Sequence, residues 1–249
     1  MSDWAREYFE RGYAQRWGLP PITDHIRVEV ASIWKYLNLT MSSRIVDVGC
    51  GHGRHALALA QLGSTVVGVD FAIALLTEAH HVGAKLGVQA YWVRGDMRTL
   101  PFFGGHFKAA ILLDAFGFFE TEQDNDAVLA NIARILVPHG RLCLKVVNGG
   151  PILADFRGSD TEEREGTVVT VSRTLTLEPP RMTENIVVSG SRGCGEYERR
   201  QRLYRSEEIY RMVECAGFSI VAVFSSADGT PFEPAISATM WLVVERKGR

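Results

Sequence analysis

Along the 249 residues the apolar positions change period several times, and each change marks an element. Residues 3–17 and 23–37 carry apolar side chains at helical spacing and are separated by GLPPI. In the second stretch Ile26, Val30, Ile33, Trp34 and Leu37 share one face, and Thr23 stands where an N-cap belongs. From residue 45 the pattern switches to short runs that are apolar on both faces: IVDV (45–48), TVVGVD (65–70), VQAYWVRGD (88–96), KAAILLDAF (108–116) and RLCLKVV (141–147). Helical stretches at 55–63, 71–87 and 124–136 lie between them. Continuous apolar strands separated by helices suit a parallel sheet covered on both faces. Residues 41–148 are therefore expected to form a doubly wound α/β core.

Beyond residue 148 the period falls to two. TVVTVSRTLTL (167–177), MTENIVVSG (182–190) and EYERRQRLY (196–204) read as strands joined by turns at EPPR and SRGCG. Val169, Val171, Leu175 and Leu177 fall on one face, with Thr170, Ser172, Thr174 and Thr176 on the other, as in an antiparallel sheet with one wet face. A helix at 206–217 and two strands, FSIVAVFSS and ATMWLVVERK, close the chain. The expected organisation is a helical cap or lid over 1–40, the α/β core over 41–148, an antiparallel β insertion over 149–205, and the C-terminal part of the core over 206–249.

Composition narrows the function classes. A net charge of −2 gives no global pull toward nucleic acid or membrane. Cys50, Cys143, Cys194 and Cys215 lie far apart with no CxxC, so neither a disulfide framework nor a metal site is expected. The opening MSDWAREYFERG carries acids and no apolar stretch, which is not the pattern of a signal peptide. The greasiest run, AAILLDAFGFF (109–119), is too short to span a bilayer and contains Asp114. The expectation is a cytoplasmic protein without a membrane segment.

The chemistry starts at IVDVGCGHGR (45–54), an apolar strand running into Gly49, Gly51 and Gly53. Glycine tolerates positive φ and lets a ligand approach the main chain, so this cluster suggests a nucleotide-like ligand. The dinucleotide fingerprint wants its third glycine at the position of Arg54, and the sequence is instead D-x-G-x-G-x-G over 47–53. Asp70 ends the second strand, where a carboxylate can accept hydrogen bonds from both ribose hydroxyls; a nicotinamide enzyme would also place an acid there. RGDM (94–97) follows the third strand, and Asp96 there can bond the exocyclic amine of an adenine. For either Asp alone, helix capping is the competing role.

VDVGCGHGR, VVGVD, VRGDMRTLPF and ARILVPHGRLCL, in this order and spacing, resemble the class I S-adenosylmethionine-dependent methyltransferases, and specifically their bacterial small-molecule branch. The resemblance covers roughly the whole chain and is best over 44–148. It implies a Rossmann-like, doubly wound seven-stranded sheet whose last strand is antiparallel, with S-adenosylmethionine as cofactor. By matching position, Asp47 and the backbone at Gly49–Gly51 would face the methionine end, with Cys50 at a loop position where a small side chain suffices. Asp70 would hold the ribose, Asp96 with Met97 the adenine, and Phe71 would pack on that ring. Leu113 would face the sulfonium through its backbone. The resemblance also implies a lid from the N-terminal aromatics, with Tyr13 as the candidate at the sulfonium end; the plainer role for this segment is to dock its rings on the sheet domain.

Methyl transfer from a sulfonium is an in-line displacement in which proximity does most of the work, so no triad or metal is expected. None of His25, His52, His55, His80, His81, His106 and His139 is singled out as a base. The stretch LLDAFGFF lacks the [DN]PP[YF] of enzymes that methylate adenine or glutamine amides. ERRQRLYR (198–205) is the one local basic patch and is expected to be a solvated strand edge. The expected function is methyl transfer to an N or O atom of a small molecule or short peptide. The alternatives are an RNA methyltransferase, a nicotinamide oxidoreductase and a non-catalytic cofactor-binding protein. The insertion is expected to serve as a substrate lid or a homodimer surface.

Overall fold

A computed structural model describes residues 2–19 and 22–248; Pro20 and Pro21, in the expected interhelical turn, lie outside the described residues. The chain opens with α1 (Asp3–Glu7), a π-helical turn (Tyr8–Gly12) and α2 (Tyr13–Trp17), followed by α3 (Asp24–Tyr36). The side chain of Thr23 accepts from the Ile26 N–H and starts α3, whose Ile26, Val30, Ile33 and Leu37 are buried at helical spacing. Then come β1 (Arg44–Val48), α4 (Arg54–Gln61), β2 (Thr65–Asp70), α5 (Ile73–Leu86), β3 (Tyr91–Arg94), β4 (Phe107–Leu113), α6 (Glu122–Ile135) and β5 (Leu136–Val147).

A short α7 (Gly149–Ala154) leads to β6 (Ser159–Arg164), β7 (Thr167–Leu177), β8 (Pro180–Gly190) and β9 (Gly195–Arg202). The chain closes with α8 (Ser206–Cys215), β10 (Phe218–Phe224) and β11 (Thr239–Arg246).

Seven strands form one sheet in the order β10-β11-β5-β4-β1-β2-β3, parallel except at β11, which runs antiparallel to both of its neighbours. Successive strand residues serve opposite faces. Val46, Ala110, Leu112, Leu142 and Leu144 pack with Val128 and Ile132 of α6 and with Ile209 and Val213 of α8. Ile45, Ala109, Ile111 and Cys143 pack on the other side with Val30 and Ile33 of α3 and with Ala56 and Leu59 of α4. Each such fully buried aliphatic contributes roughly 1.5–3 kcal/mol, so the two-sided apolar runs select this layered arrangement.

The insertion is a four-stranded antiparallel sheet, β6-β7-β8-β9, one strand more than expected. Its extra strand, SDTEER, has no apolar alternation to announce it. The face expected to be apolar is so only in part. Val169 and Val171 are buried with Ile186, Val188 and Tyr197, whereas Leu177 is 66% exposed. What covers the buried part is the N-terminal segment: Tyr8 is 1% exposed in this cluster, with Phe9 and Tyr13 against it. Tyr8 therefore docks on the insertion, while Phe9 also meets Phe71, just beyond β2 of the seven-stranded sheet. A side chain at Gly12 would meet the Tyr197 ring at 2.6 Å, so the backbone itself rests on that ring.

Candidate cofactor and acceptor cavity

β1 ends in a turn whose three glycines do different things. Gly49 has φ +70 and a Cβ there would lie 2.6 Å from that of Ala115; at Gly53 the Trp92 ring would be 2.4 Å away. Both are glycine because the chain's own packing leaves no room. At Gly51 (φ +55) a Cβ would meet nothing nearer than Leu75 at 3.9 Å, so here the main chain borders open space. That space is a cavity of about 190 Å³ at the carboxyl ends of β1, β2 and β4.

Asp70, last residue of β2, fixes the loop. Its Oδ2 accepts from the Gly51 N–H at 2.8 Å and its Oδ1 from the Ala72 N–H at 2.9 Å. Burial pushes its carboxyl above the ordinary value, and these backbone donors oppose that rise. Asp47 is buried beside it, and burial together with the charge of Asp70 brings it to about 7.

The structure brings Tyr13, Asp47, Gly49, Cys50, Gly51, Asp70, Phe71, Met97 and Leu113 together on the wall of this one cavity. Burial drives the Cys50 thiol well above its usual pKa, away from thiolate chemistry. Asp96 is the exception, because Met97 and Arg98 line the cavity and it does not. Arg98 clasps its carboxylate, with Nε 3.1 Å from each oxygen, and reaches Asp124 at 2.9 Å. Partial burial raises the Asp96 carboxyl, but the Arg98 hydrogen bonds outweigh it and hold it below the usual range. A guanidinium two residues further along the chain thus takes the oxygens that were expected to meet an adenine amine directly.

The N-terminal segment roofs the cavity with Ala5, Phe9 and Tyr13. Phe9 meets Phe71 and Phe118 edge-on, with ring centroids 5.7 and 5.3 Å apart. Glu10 caps α5 from outside, its two oxygens accepting from the Ile73 and Ala74 N–H groups at 3.0 and 3.1 Å. The Trp4 indole N–H donates to Glu120 at 3.0 Å, and Arg16 pairs with Glu184 on β8 at 3.0 Å. Burial raises the Tyr13 phenol pKa, which keeps it protonated. A π-helical turn, a form concentrated at functional sites, carries Phe9 and Glu10.

Sequence reasoning missed several groups here. Asp114 follows the last residue of β4, lines the cavity and pairs with Lys145 at 2.8 Å. His52 and His55 also line it, and the buried His55 ring meets the buried Glu29 at 2.8 Å. Burial lowers the His55 pKa, so the ring is neutral at pH 7. The available signal for Asp114 was an acid placed directly after an apolar strand end. Glu29 and Lys145 carry no local signal, since their partners are distant in sequence.

The basic run at 198–205 is not a solvated edge. Arg199 reaches the buried Glu184 at 2.7 Å, and Arg202, itself 6% exposed, pairs with Glu122 at 2.9 Å and with Glu208. The edge of β9 faces the core instead, with the Arg202 N–H donating to the Gly117 carbonyl at 2.8 Å. Among the described residues no group of three His, Cys, Asp or Glu side chains could hold a metal ion, and no helix is long and apolar enough to cross a membrane.

Residues 45–140 match the family described as a methyltransferase domain. The cypemycin N-terminal methyltransferase of a Streptomyces species is 27% identical over 210 residues, covering 82% of this chain and 83% of that one. The S-adenosylmethionine-bound structure of CalS10, an amino pentose methyltransferase from Micromonospora echinaspora, is 25% identical with a TM-score of 0.63 and covers 95% of each chain. The CcbJ methyltransferase of Streptomyces caelestis shares the fold at a TM-score of 0.83 and 18% identity, over 97% of this chain and 98% of its own.

Proposed function

We propose that the chain is a class I S-adenosylmethionine-dependent methyltransferase that methylates an N or O atom of a small molecule or short peptide by in-line displacement. The observation that carries this reading is the single cavity that joins the glycine turn to the aromatic roof. Its residues suit the cofactor: the Gly51 main chain borders open space, Asp70 ends the neighbouring strand, and Phe71, Leu75 and Met97 supply apolar walls. In this reading Asp70 holds the ribose, Met97 and Phe71 flank the adenine with Asp96 and Arg98 behind, and Asp47, Gly49 and Leu113 face the methionine end. The cofactor supplies a methyl group already activated by a positively charged sulfur.

The protein's task is then to align the acceptor and keep water out. Phe9 and Tyr13 belong to a segment tied to α5 through Glu10 and to the insertion through Arg16. A roof held at both ends supports an enclosed acceptor site, in which effective concentration lowers the barrier. Tyr13, with its phenol protonated, is our candidate donor at that end. The N-terminal segment and the insertion together act as the acceptor lid. That relatives include a cypemycin N-terminal methyltransferase and an amino pentose methyltransferase supports an acceptor of this kind. The RNA reading loses its one local support, because Arg199 and Arg202 are engaged by Glu184, Glu122 and Glu208.

The test is to incubate the protein with methyl-labelled S-adenosylmethionine and separate pools of metabolites, short peptides and RNA. Label entering a small molecule or peptide is expected. Label entering only RNA, or none despite cofactor binding, would favour the RNA or the non-catalytic alternative.

A further inference from the structure

We propose that the acceptor is an amine and that Asp114 selects it; this rests on methyl transfer in the cavity described above. Asp114 leaves β4 in a left-handed conformation, φ +58, that non-glycine residues adopt sparingly and that concentrates at functional sites. One residue holds it there from both ends. Its N–H donates to the Lys145 carbonyl at 3.1 Å, and its Oδ2 accepts from Lys145 Nζ at 2.8 Å. The conformation is thus imposed by the neighbouring strand, and it presents a carboxylate on the cavity wall while leaving that side chain 42% exposed.

Lys145 does not neutralise this carboxylate by itself. Its ammonium also faces Glu29, which is buried, at 3.7 Å. Glu29 also meets the neutral His55 at 2.8 Å and the exposed His25 at 3.4 Å, and among the described residues Lys145 is the one Lys or Arg cation that it shares with Asp114. Among the described residues Asp114 Oδ1 has no hydrogen-bond donor.

The remaining cavity carboxylates are committed elsewhere. Asp47 and Asp70 serve the methionine end and the ribose of the cofactor in the reading above, Glu120 takes the Trp4 indole and Asp124 takes Arg98. Asp114 is therefore the carboxylate left to meet a cation brought in by the acceptor. Phe9 and Phe118 line the same cavity and offer an apolar body its wall, and the Phe118 ring already carries a guanidinium, that of Arg199 at 5.4 Å.

The chemistry balances with the groups present. Asp114 receives the acceptor as an ammonium and takes one N–H proton, which then leaves to solvent through its exposed side. The freed lone pair forms the N–C bond as the methyl–sulfur bond breaks, and that bond's electron pair stays on sulfur. A hydroxyl can donate to Asp114 but lacks the opposite charge that an ammonium adds to the same contact, and a carboxylate is repelled by it.

The test uses the full chain saturated with S-adenosylhomocysteine. Three amines are titrated by calorimetry against their hydroxyl counterparts: benzylamine against benzyl alcohol, glucosamine against glucose, and glycinamide against glycolamide. At least one amine is expected to bind roughly tenfold tighter than its counterpart, as one charge-assisted contact implies. Asp114→Asn keeps the shape and tolerates positive φ, so it should melt like the parent and erase that preference. No amine preference in any pair, or a preference that survives Asp114→Asn, overturns the proposal. If S-adenosylhomocysteine itself does not bind, the methyl-transfer reading fails first; if it binds and the pairs are equal, only the amine assignment falls.

Discussion

Arg16 and Glu184 lie 168 positions apart in sequence and meet at 3.0 Å, both buried, where the N-terminal segment crosses the insertion. Arg173 and Arg199 close on the same carboxylate at 3.0 and 2.7 Å. Burial pushes Glu184 up, but Arg199, Arg16 and Arg173 draw it down to about 2. Removing the carboxylate would leave three guanidinium groups around a buried site without their shared counter-charge.

Glu184→Gln should therefore cost about 3 kcal/mol at pH 7, within the range for breaking a buried ion pair. The folded pKa lies below the unfolded one, so this stabilisation is complete above about pH 4.5 and is lost as pH falls toward about 2. Calorimetric melting of parent and variant should show a gap at pH 7 that closes across that window. A gap independent of pH would show that the carboxylate acts through packing alone.

The roof combines two roles that the sequence left as alternatives. Tyr8 is buried in the insertion's core, whereas Tyr13 lines the cavity, and among the described residues its hydroxyl has no hydrogen-bond partner. Tyr13→Phe should then leave the melting temperature unchanged and lower turnover roughly tenfold to hundredfold, as for a lost donor at a reacting centre. Tyr8→Ala should instead destabilise by about 3–5 kcal/mol. Full activity of Tyr13→Phe would reduce the roof to a packing element.

What was legible in the sequence follows from how the elements are stabilised. β1, β2, β4 and β5 are buried on both faces, so their apolar runs announced them without reference to distant partners. β6 is a polar strand, SDTEER, whose pairing with β7 is the only feature that makes it one. α7 begins with two glycines and a proline, which look like a turn, and is nucleated by the buried Asn148, whose Oδ1 accepts from the Gly150 N–H at 3.1 Å. The cavity residues near the glycine turn were found because they occupy strand ends. Asp114 was missed because its meaning depends on Lys145, and the arginines of β9 were misread because Glu184, Glu122 and Glu208 lie outside their local run.

Asp70 has a structural duty as well as its proposed ribose role. Asp70→Ala should weaken S-adenosylhomocysteine binding by about 2–4 kcal/mol, the worth of two hydrogen bonds to a charged acceptor after partial compensation. It should also speed amide exchange at Gly51 and Ala72, whose N–H groups lose their acceptor. Faster exchange with unchanged affinity would mean that the carboxylate only fastens the turn.

The clasp of Arg98 on Asp96 separates two ways of serving the adenine. If Asp96 acts by holding Arg98 in the wall, Asp96→Ala and Arg98→Ala should lower cofactor affinity equally, by about 1 kcal/mol. That equality is the expected result, since Arg98 and not Asp96 lines the cavity. A much larger loss for Asp96→Ala, measured by calorimetry, would restore direct contact between Asp96 and the adenine amine.

The account stands on the cavity being a site for S-adenosylmethionine, and thermal unfolding of the full chain with S-adenosylhomocysteine or NAD tests this most directly. At a ligand concentration about 100 times Kd, linkage adds about 2.7 kcal/mol, which for a chain of this size raises Tm by roughly 5–10 °C. S-adenosylhomocysteine should produce that rise and NAD at equal concentration should not. A rise with NAD alone, or none with S-adenosylhomocysteine, would contradict the account.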